Sequence, residues 1–266
     1  MIWGRTEVVK STAGTGEITL SEGVVVIADL HLDPADLVAC EEFAVWVRAR
    51  PNSTRLIILG DLFDAWVGPG HASSEGASIA LHALKGHGAR GGAVHLLWGN
   101  RDFLLDERVA VQAGATLHGD ALIGVDESGR RTLFVHGDEL CTMDVSYQRM
   151  RRVLRSKLVS GGLLSLPLFA SLWLARRLRN ESKRAITAKA PEEMAMQEHV
   201  VTALCEAHSS SSLVCGHAHR WRDETVDGGL RWIVLDAFGG DLDSLAVDSD
   251  GRLVGAPSGF KKERRS

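Results

Sequence analysis

Short apolar runs, each followed by a turn rich in Asp, Asn, Gly or His, recur along this chain. The first run, Val24 to Ile27, has three valines before an isoleucine, which predicts a strand buried on both faces. The same pattern predicts strands at Arg55 to Leu59, Ala93 to Trp98, Arg131 to Val135, Leu213 to Cys215, Leu230 to Asp236 and Ser244 to Val247. Most of these strands therefore end in polar side chains.

Helical spacing of apolar residues separates the early strands. The spacing predicts helices over Leu37 to Arg48 and Ser73 to Leu84. Alternation of strand and helix indicates an α/β core. Residues from about 145 to 200 interrupt that alternation and predict a helical insertion. The chain divides into an N-terminal extension over 1–20, a domain over 21–256 that contains the insertion, and a basic tail over 257–266.

Composition excludes several classes of protein. With 266 residues, 45% hydrophobic and 24% charged, the chain resembles an ordinary soluble globular protein with one large core. Its four cysteines show no C-x-x-C spacing, so we expect a reducing cytosol rather than a disulfide framework. Residues 1–20 lack the apolar core of a signal peptide. A cytoplasmic location is therefore expected.

Charge is concentrated in the predicted insertion. The net charge is −4, yet Arg149 to Lys189 holds eleven Lys or Arg and one acid, which leaves −14 for the remainder. Inside this region Leu158 to Ala175 carries no charge over eighteen residues, but two glycines and a proline argue against a membrane span. A buried helix, a face lying on an anionic membrane and a slot for acyl chains remain open. The expected location is peripheral, on the cytoplasmic face of the inner membrane.

The polar strand ends supply candidate metal ligands. Because residues two apart on a strand point the same way, we expect Asp29 and His31 to emerge together at a ligand-binding edge. Later strand ends supply Asp61, Asn100, His136, His217 and His219. Each residue alone is also typical of a turn or a core histidine. Together they suit two divalent ions bridged by one carboxylate, with Mn²⁺ expected and iron, cobalt or zinc possible.

The order of these residues resembles the calcineurin-like metallophosphoesterase superfamily. Its motifs stand here as Asp29-x-His31, Gly60-Asp61-x-x-Asp64, Gly99-Asn100-Arg101-Asp102, His136 and Gly216-His217-x-His219. The resemblance implies an αββα sandwich with a helical cap, and two metal sites bridged by Asp61. One site would have Asp29, His31 and His219, and the other Asn100, His136 and His217.

Three residues next to the expected ligands have candidate catalytic roles. Asp64 and Asp102 are either groups that orient His or Asn ligands or simple turn residues. Arg101 stands where most of the superfamily has His. Because arginine stays charged, it cannot be a general acid, but it can grip phosphate. A leaving group that departs as a stable anion is then favoured, which indicates cleavage of a diphosphate.

Further segments resemble the UDP-2,3-diacylglucosamine diphosphatases of lipid A biosynthesis, which release UMP and lipid X. The similar segments are Gly99 to Leu104, His136 to Thr142, Tyr147-Gln148, Leu166 to Phe169 and Arg179 to Lys183. The resemblance implies a glycolipid nucleotide-diphosphate substrate, contacted by Asn100, Arg101, Asp144, Tyr147, Ser182, Lys189 and His217. Ile186 departs from the family pattern, which has Asn there, so one polar contact is missing.

Three rival functions remain. The first is a phosphatase or phosphodiesterase acting on a nucleotide or a phosphoprotein. The second is a nucleic-acid-binding nuclease subunit, since phosphate binding also needs Lys and Arg. The single Tyr and the apolar stretch within the basic region fit lipid better than stacked bases, so we expect no nucleic acid. The third, a non-catalytic membrane scaffold, would not need the ligand set.

Overall fold

The computed structural model describes residues 15–167, 169–171, 173–174, 177 and 194–260. Two six-stranded sheets pack face to face, with helices on both outer faces. The strands are β1 Gly16–Thr19, β2 Val24–Ile27, β3 Arg55–Ile58, β4 Ala93–Leu96, β5 Thr116–Leu117, β6 Ala121–Val125, β7 Arg131–Val135, β8 Ser212–Cys215, β9 Arg222–Val226, β10 Leu230–Val234, β11 Ser244–Val247 and β12 Leu253–Ala256. The helices are α1 Leu37–Arg48, α2 Glu75–Ala89, α3 Glu107–Ala113, α4 Val145–Leu154, α5 Lys157–Leu164 and α6 Glu198–Ala207. The expected αββα sandwich is confirmed.

The first sheet has the order β12-β11-β2-β3-β4-β5. Strands β2 to β5 are parallel, because helical crossovers connect them, while β11 and β12 add an antiparallel edge. Helices α1, α2 and α3 cover the outer face of this sheet. Asp36 and Asp106 cap α1 and α3 by accepting backbone N–H groups, which explains where these helices begin.

The second sheet has the order β1-β6-β7-β8-β10-β9. Strands β7, β8 and β10 are parallel; β6 runs antiparallel to β7 and parallel to β1, and β9 runs antiparallel to β10. Helix α6 packs on its outer face through Val201 and Cys205. The carboxyl ends of β7 and β8 therefore meet those of β2, β3 and β4 at one edge of the sandwich.

The core lies in three layers. Val24, Val26 and Ile57 point between the sheets, where they meet Phe134 and Ile233 from the second sheet. Alternate residues of the same strands face the helices, and Ile27 and Ile58 belong to that outer layer. Both faces of the central strands are thus buried, which is why their sequences are continuously apolar.

Both ends of the predicted domain differ from the structure. Gly16–Thr19 lies in the predicted N-terminal extension, yet it pairs in parallel with β6 and completes the second sheet. At the other end Ser258 and Phe260 are buried, although the basic tail was predicted to begin at 257. Phe260 stacks on Phe238 at 4.5 Å. Residues 1–14 and 261–266 lie outside the described residues.

Several elements were not predicted from sequence. Strand β5 has only two residues and β9 is largely polar, so both lack the apolar runs of the central strands, whereas β6 and β12 are apolar but each contains a glycine. Helices α3 and α6 were also missed, and α2 extends five residues beyond its predicted end. Packing of α2 against α1 and β4 supports that extra length.

Two helices of the predicted insertion are described. Helix α4 is capped by Asp144, whose side chain accepts the N–H of Tyr147, and α5 follows after a two-residue break. Leu163 and Leu164 pack against the outer core of the first sheet. Within the described part of the chain, no helix combines the length and apolarity needed to cross a bilayer.

A histidine pair between the sheets predicts sensitivity to acid. His95 Nδ1 lies 2.9 Å from His118 Nε2, and burial, together with His118 and Arg55, lowers the pKa of His95 to about 4. In the unfolded chain this pKa is about 6.5, so between these values the unfolded state binds more protons and stability falls as pH falls. We expect His95→Gln to reduce that loss.

Urea unfolding at pH 7, 6 and 5 measures the effect. The control is His82→Gln, which changes an exposed histidine of α2. The free energy of unfolding of His95→Gln should decline less between pH 7 and pH 5 than that of the unmodified protein or of the control. Equal declines in all three proteins would contradict the assignment.

Candidate metal centre

Five strand ends bring the seven expected ligands together at one edge of the sandwich. Asp29 and His31 follow β2, Asp61 follows β3 and Asn100 follows β4. His136, His217 and His219 come from the second sheet, after β7 and β8. The site therefore spans the junction between the two sheets.

The backbone at these residues differs from the predicted strand alternation. Strand β2 ends at Ile27, and Asp29 and His31 have φ values of 55° and 47°. Asp61, His217 and His219 also lie in this left-handed region, at 51°, 66° and 51°. Such a conformation costs about 1–3 kcal/mol at each residue other than glycine and clusters at functional sites. Left-handed turns, rather than strand periodicity, aim these side chains inward.

One group of donor atoms consists of Asp29, His31 and His219, all within 4.8 Å of one another. Asp29 Oδ1 lies 3.9 Å from His31 Nε2 and 3.3 Å from His219 Nε2. The two imidazole Nε2 atoms face each other at 3.0 Å. One carboxylate and two imidazoles are thus arranged around a single point.

A second group consists of Asp29, Asp61 and His136. Asp61 Oδ2 lies between the groups, 3.6 Å from His31 Nδ1 and 3.7 Å from His136 Nε2. Asn100 Oδ1 lies 2.8 Å from His136 Nε2. It also lies 3.1 Å from His217 Nδ1. The arrangement is compatible with the expected bridging position of Asp61, although Asp29 is the residue that both close groups share.

Burial and mutual charge set the protonation of these groups. Burial lowers the pKa of His31 to about 3 despite the attraction of Asp29, and it lowers that of His217 to about 4, aided by His136. Burial would raise the pKa of Asp29, but His219, His136 and His31 hold it well below its usual range. Ionised Asp29 and neutral His31 and His217 are the forms that ligate metals.

Asp61 and His136 are a tightly coupled pair. Burial raises the pKa of Asp61 to about 7, against the attraction of His136. Burial would lower the pKa of His136, but Asp61, Asp29 and Asp138 raise it to about 9. His136 Nδ1 donates to the Leu59 carbonyl at 2.8 Å, which leaves Nε2 directed into the site. A cation placed there would substitute for the proton that this pair attracts.

The chemistry of the buried atoms fits divalent metal ions. Asp29 Oδ1 and His31 Nδ1 are buried and make no hydrogen bond within the described part of the chain. Carboxylate oxygens, imidazole nitrogens and an amide oxygen converge, which is the donor mixture that Mn²⁺, iron, cobalt and zinc accept. Buried acceptors that face one another without protons are costly unless a cation lies between them.

Of the two roles predicted for Asp102, its contacts agree with that of a turn residue. Its fully buried carboxylate accepts backbone N–H groups from Gly99 at 2.8 Å, Asp61 at 3.2 Å and Phe63 at 3.4 Å. Burial raises its pKa, and the N–H donors and His136 oppose that rise. Asp102 therefore fixes the turns after β3 and β4, and its hydrogen-bond donors within the described residues are backbone N–H groups.

Asp64 contacts the neighbouring arginine. Its Oδ1 accepts a charge-assisted hydrogen bond from Arg101 Nη1 at 2.5 Å. The side-chain Nε of Arg101 lies 3.6 Å from Asp61 Oδ2, and the backbone N–H of Arg101 donates to Asp61 Oδ1 at 2.8 Å. The guanidinium is therefore held over the centre by two carboxylates, with about a quarter of its side chain exposed.

The expected substrate contacts are only partly described. Asp144 caps α4, and the Tyr147 hydroxyl donates to Asp138 Oδ2 at 2.6 Å, so Tyr147 has a structural partner within the fold. Ser182, Ile186 and Lys189 lie outside the described residues. Sequence reasoning assigned no role to Asp138. The signal for it is the four-residue spacing of Tyr147, Arg151 and Arg155, whose side chains share one helix face.

The αββα sandwich carries seven candidate metal ligands at the edge where its two sheets meet, which we call the metal edge. This combination is that of a metal-dependent phosphoesterase. The chain belongs to the calcineurin-like phosphoesterase family, whose model matches residues 23–221. Among its relatives is the UDP-2,3-diacylglucosamine hydrolase of Stutzerimonas stutzeri, 35% identical over 86% of this chain and 96% of that protein. The proteins of the same name from Pseudomonas aeruginosa and Yersinia enterocolitica are 34% and 36% identical, over 86% and 76% of this chain and 96% and 83% of their own.

The turn glycine before Asn100 provides a test of the centre. A Cβ at Gly99 would lie 2.0 Å from Asp61 Oδ1 and 2.3 Å from Asp61 N, so Gly99→Ala must displace that carboxylate. We expect Gly99→Ala to lower divalent-metal affinity by at least about tenfold. The control is Gly86→Ala, a helix position where a Cβ meets one atom, Arg90 Nη1, at 3.7 Å.

Calorimetric titration of the metal-stripped proteins with Mn²⁺ measures the effect. The Gly86→Ala protein should bind Mn²⁺ as the unmodified protein does. Unchanged Mn²⁺ affinity in a folded Gly99→Ala protein would show that Asp61 does not ligate metal.

Proposed function

We propose that the chain hydrolyses UDP-2,3-diacylglucosamine to UMP and 2,3-diacylglucosamine 1-phosphate with two divalent metal ions. The observation that carries the substrate assignment is the roughly one-third identity, over most of both chains, to proteins named UDP-2,3-diacylglucosamine hydrolase. The family match and the metal edge support the reaction type independently. Arg101 in place of the more usual His supports a diphosphate as the bond cleaved.

The seven converging residues would hold the two ions. Asp29, His31 and His219 would form one site, and Asn100, His136 and His217 the other, with Asp61 between them. When bound, such ions polarise phosphoryl oxygens and lower the pKa of water. The mixed oxygen and nitrogen donors favour Mn²⁺, with iron, cobalt and zinc as alternatives.

Arg101 supplies positive charge from the protein itself, in addition to the charge of the two metal ions. Its guanidinium can form two parallel hydrogen bonds to phosphate oxygens, and Asp64 and Asp61 keep it oriented before substrate binds. Cleavage at the diphosphate releases a phosphate monoester, which leaves as an anion and needs no proton at the moment of departure. A permanently charged group therefore suits this reaction better than a general acid.

Hydrolysis of UDP-2,3-diacylglucosamine in detergent, followed by UMP release, tests the assignment. We expect turnover with Mn²⁺, its loss after chelation and its return when Mn²⁺ is restored. Asn100→Ala should lower kcat/KM more than about 100-fold, since loss of a ligand exceeds the usual effect of an outer residue. The matched control is Asn52→Ala, which removes an exposed amide that bonds Arg90.

Two further comparisons test the substrate assignment separately from the assignment of the metal centre. Arg101→Met should lower kcat by about 10²–10³-fold, the usual effect of removing one donor to a developing charge. A generic aryl phosphodiester serves as the second substrate. Turnover of the aryl diester with no release of UMP would retain the metal centre and reject the lipid substrate in favour of another phosphoester.

The exposed surface of the insertion supports a membrane-facing role. Leu158 and Phe169 are 91% and 77% exposed, and Val145 and Val153 on α4 are also exposed. Exposed Arg149, Arg152 and Lys157 lie among them. Apolar side chains surrounded by cations are typical of a face that rests on anionic lipid, where a two-chain substrate would be found. We therefore propose that the enzyme rests on an anionic membrane, which the sequence-based expectation identifies as the cytoplasmic face of the inner membrane.

Sedimentation with vesicles tests this placement. We expect the protein to sediment with phosphatidylglycerol–phosphatidylethanolamine vesicles and to remain in solution with phosphatidylcholine alone. Leu158→Ser should weaken sedimentation, whereas Val111→Ser, a 64% exposed position on α3, should not. Equal sedimentation of both variants would reject the α4–α5 surface as the membrane contact.

A further inference from the structure

Helix α4 has two chemically distinct faces. On one face Arg149 and Arg152 are exposed to solvent. On the other, Tyr147, Arg151 and Arg155 follow one another at four-residue intervals and point toward the sandwich. The positive charge of this helix is therefore divided between an outer surface and an inner contact.

Arg151 is bound to the turn that follows β7. Its Nε donates to Asp138 Oδ2 at 2.6 Å, and its Nη2 reaches Asp120 Oδ1 at 3.4 Å. The Tyr147 hydroxyl donates to the same Asp138 oxygen at 2.6 Å. The side chain of Asp138 is 1% exposed, so its charge depends on these partners.

Arg155 is bound to the turn that follows β4. Its Nη2 donates to the Gly99 carbonyl at 3.2 Å, and its guanidinium lies 5.9 Å from the centre of the Phe103 ring. It forms an ion pair with Asp120 and lies 3.7 Å from Asp138 Oδ2. Only 13% of its side chain is exposed. One helix turn separates the two arginines, and both contact Asp120 and Asp138.

These contacts end next to residues of the candidate metal centre. The Gly99 carbonyl belongs to the peptide that leads directly into Asn100. Asp138 lies two residues after His136, in the same turn. Asn100 Oδ1 and His136 Nε2 are the pair that face each other at 2.8 Å. The first helix of the insertion thus packs against the two turns that present two of the seven expected ligands, Asn100 and His136.

We propose that Arg151 and Arg155 are positioning residues that set the affinity of one metal ion, the one expected at Asn100, His136 and His217. The inference rests on the proposed two-metal function. Arg155 restrains the peptide before Asn100, and Arg151 restrains the turn after His136 through Asp138. Within the described residues, Asp29, His31 and His219 make no hydrogen bond or ion pair with either arginine, so the ion expected there should be unaffected.

The test compares Mn²⁺ binding by full-length variants, using calorimetry and the electron paramagnetic resonance of bound Mn²⁺. The variants are Arg155→Met, Arg155→Lys and the control Arg48→Met, which removes an exposed arginine of α1. In Arg155→Met we expect one of the two ions to bind about 10–100-fold more weakly and the other to bind normally. Arg155→Lys should lie between, because lysine keeps the charge but not the planar fork.

Activity provides a second readout that a purely structural role would not produce. Toward an aryl phosphodiester, Arg155→Met should be impaired at low Mn²⁺ and should recover its kcat at saturating Mn²⁺. Arg48→Met should match the unmodified protein throughout. Two ions bound with unmodified affinity in Arg155→Met would overturn the proposal.

A folding defect of Arg155→Met and a failure of the proposed function can each be distinguished from failure of this proposal. If Arg155→Met does not fold, the double variant Asp120→Asn/Arg155→Met removes both charges of one ion pair, and the same loss at one ion is expected. Unmodified affinity in that variant would also overturn the proposal. If the unmodified protein binds fewer than two ions, the proposed function fails before Arg155 is tested.

Discussion

The rest of the site depends on the hydrogen bonds between the buried Asp102 carboxylate and backbone N–H groups. By accepting three backbone N–H groups, it joins the turns after β3 and β4 and thereby fixes Asp61 and Asn100 relative to each other. Asp29 performs a similar task across the sheets, because its Oδ2 accepts the His217 N–H at 2.7 Å. These carboxylates thus hold the backbone of this edge in the positions from which the ligand side chains converge.

This assembly explains how strained residues persist. Five candidate ligands occupy left-handed conformations, which cost energy that local sequence alone does not repay. The rigid sandwich beneath them, with Val26 and Phe134 buried between the sheets, leaves the turns no relaxed alternative that keeps the strands paired. Asp is also among the residues that tolerate this conformation best. The fold therefore stores strain where inward-facing donors are needed.

The positive charge of the insertion serves more than one purpose. Arg151 and Arg155 face inward and meet Asp120 and Asp138, while Arg149 and Arg152 remain in solvent among exposed apolar side chains. Charge counts along a sequence cannot separate these uses, because neutralisation by distant carboxylates is invisible locally. One helix can therefore support the metal edge with one face and meet lipid with the other.

Sequence alone determined the class of fold and the set of candidate ligands, because buried strands are continuously apolar and their polar ends are conspicuous against them. It did not reveal β1 or the packing of Phe260, since edge strands and termini acquire their order from partners far along the chain. Tertiary structure alone decided that Asp64 binds Arg101 and that Asp102 binds backbone. The physical reason is that a carboxylate pairs with whichever donors the folded chain places within about 3 Å.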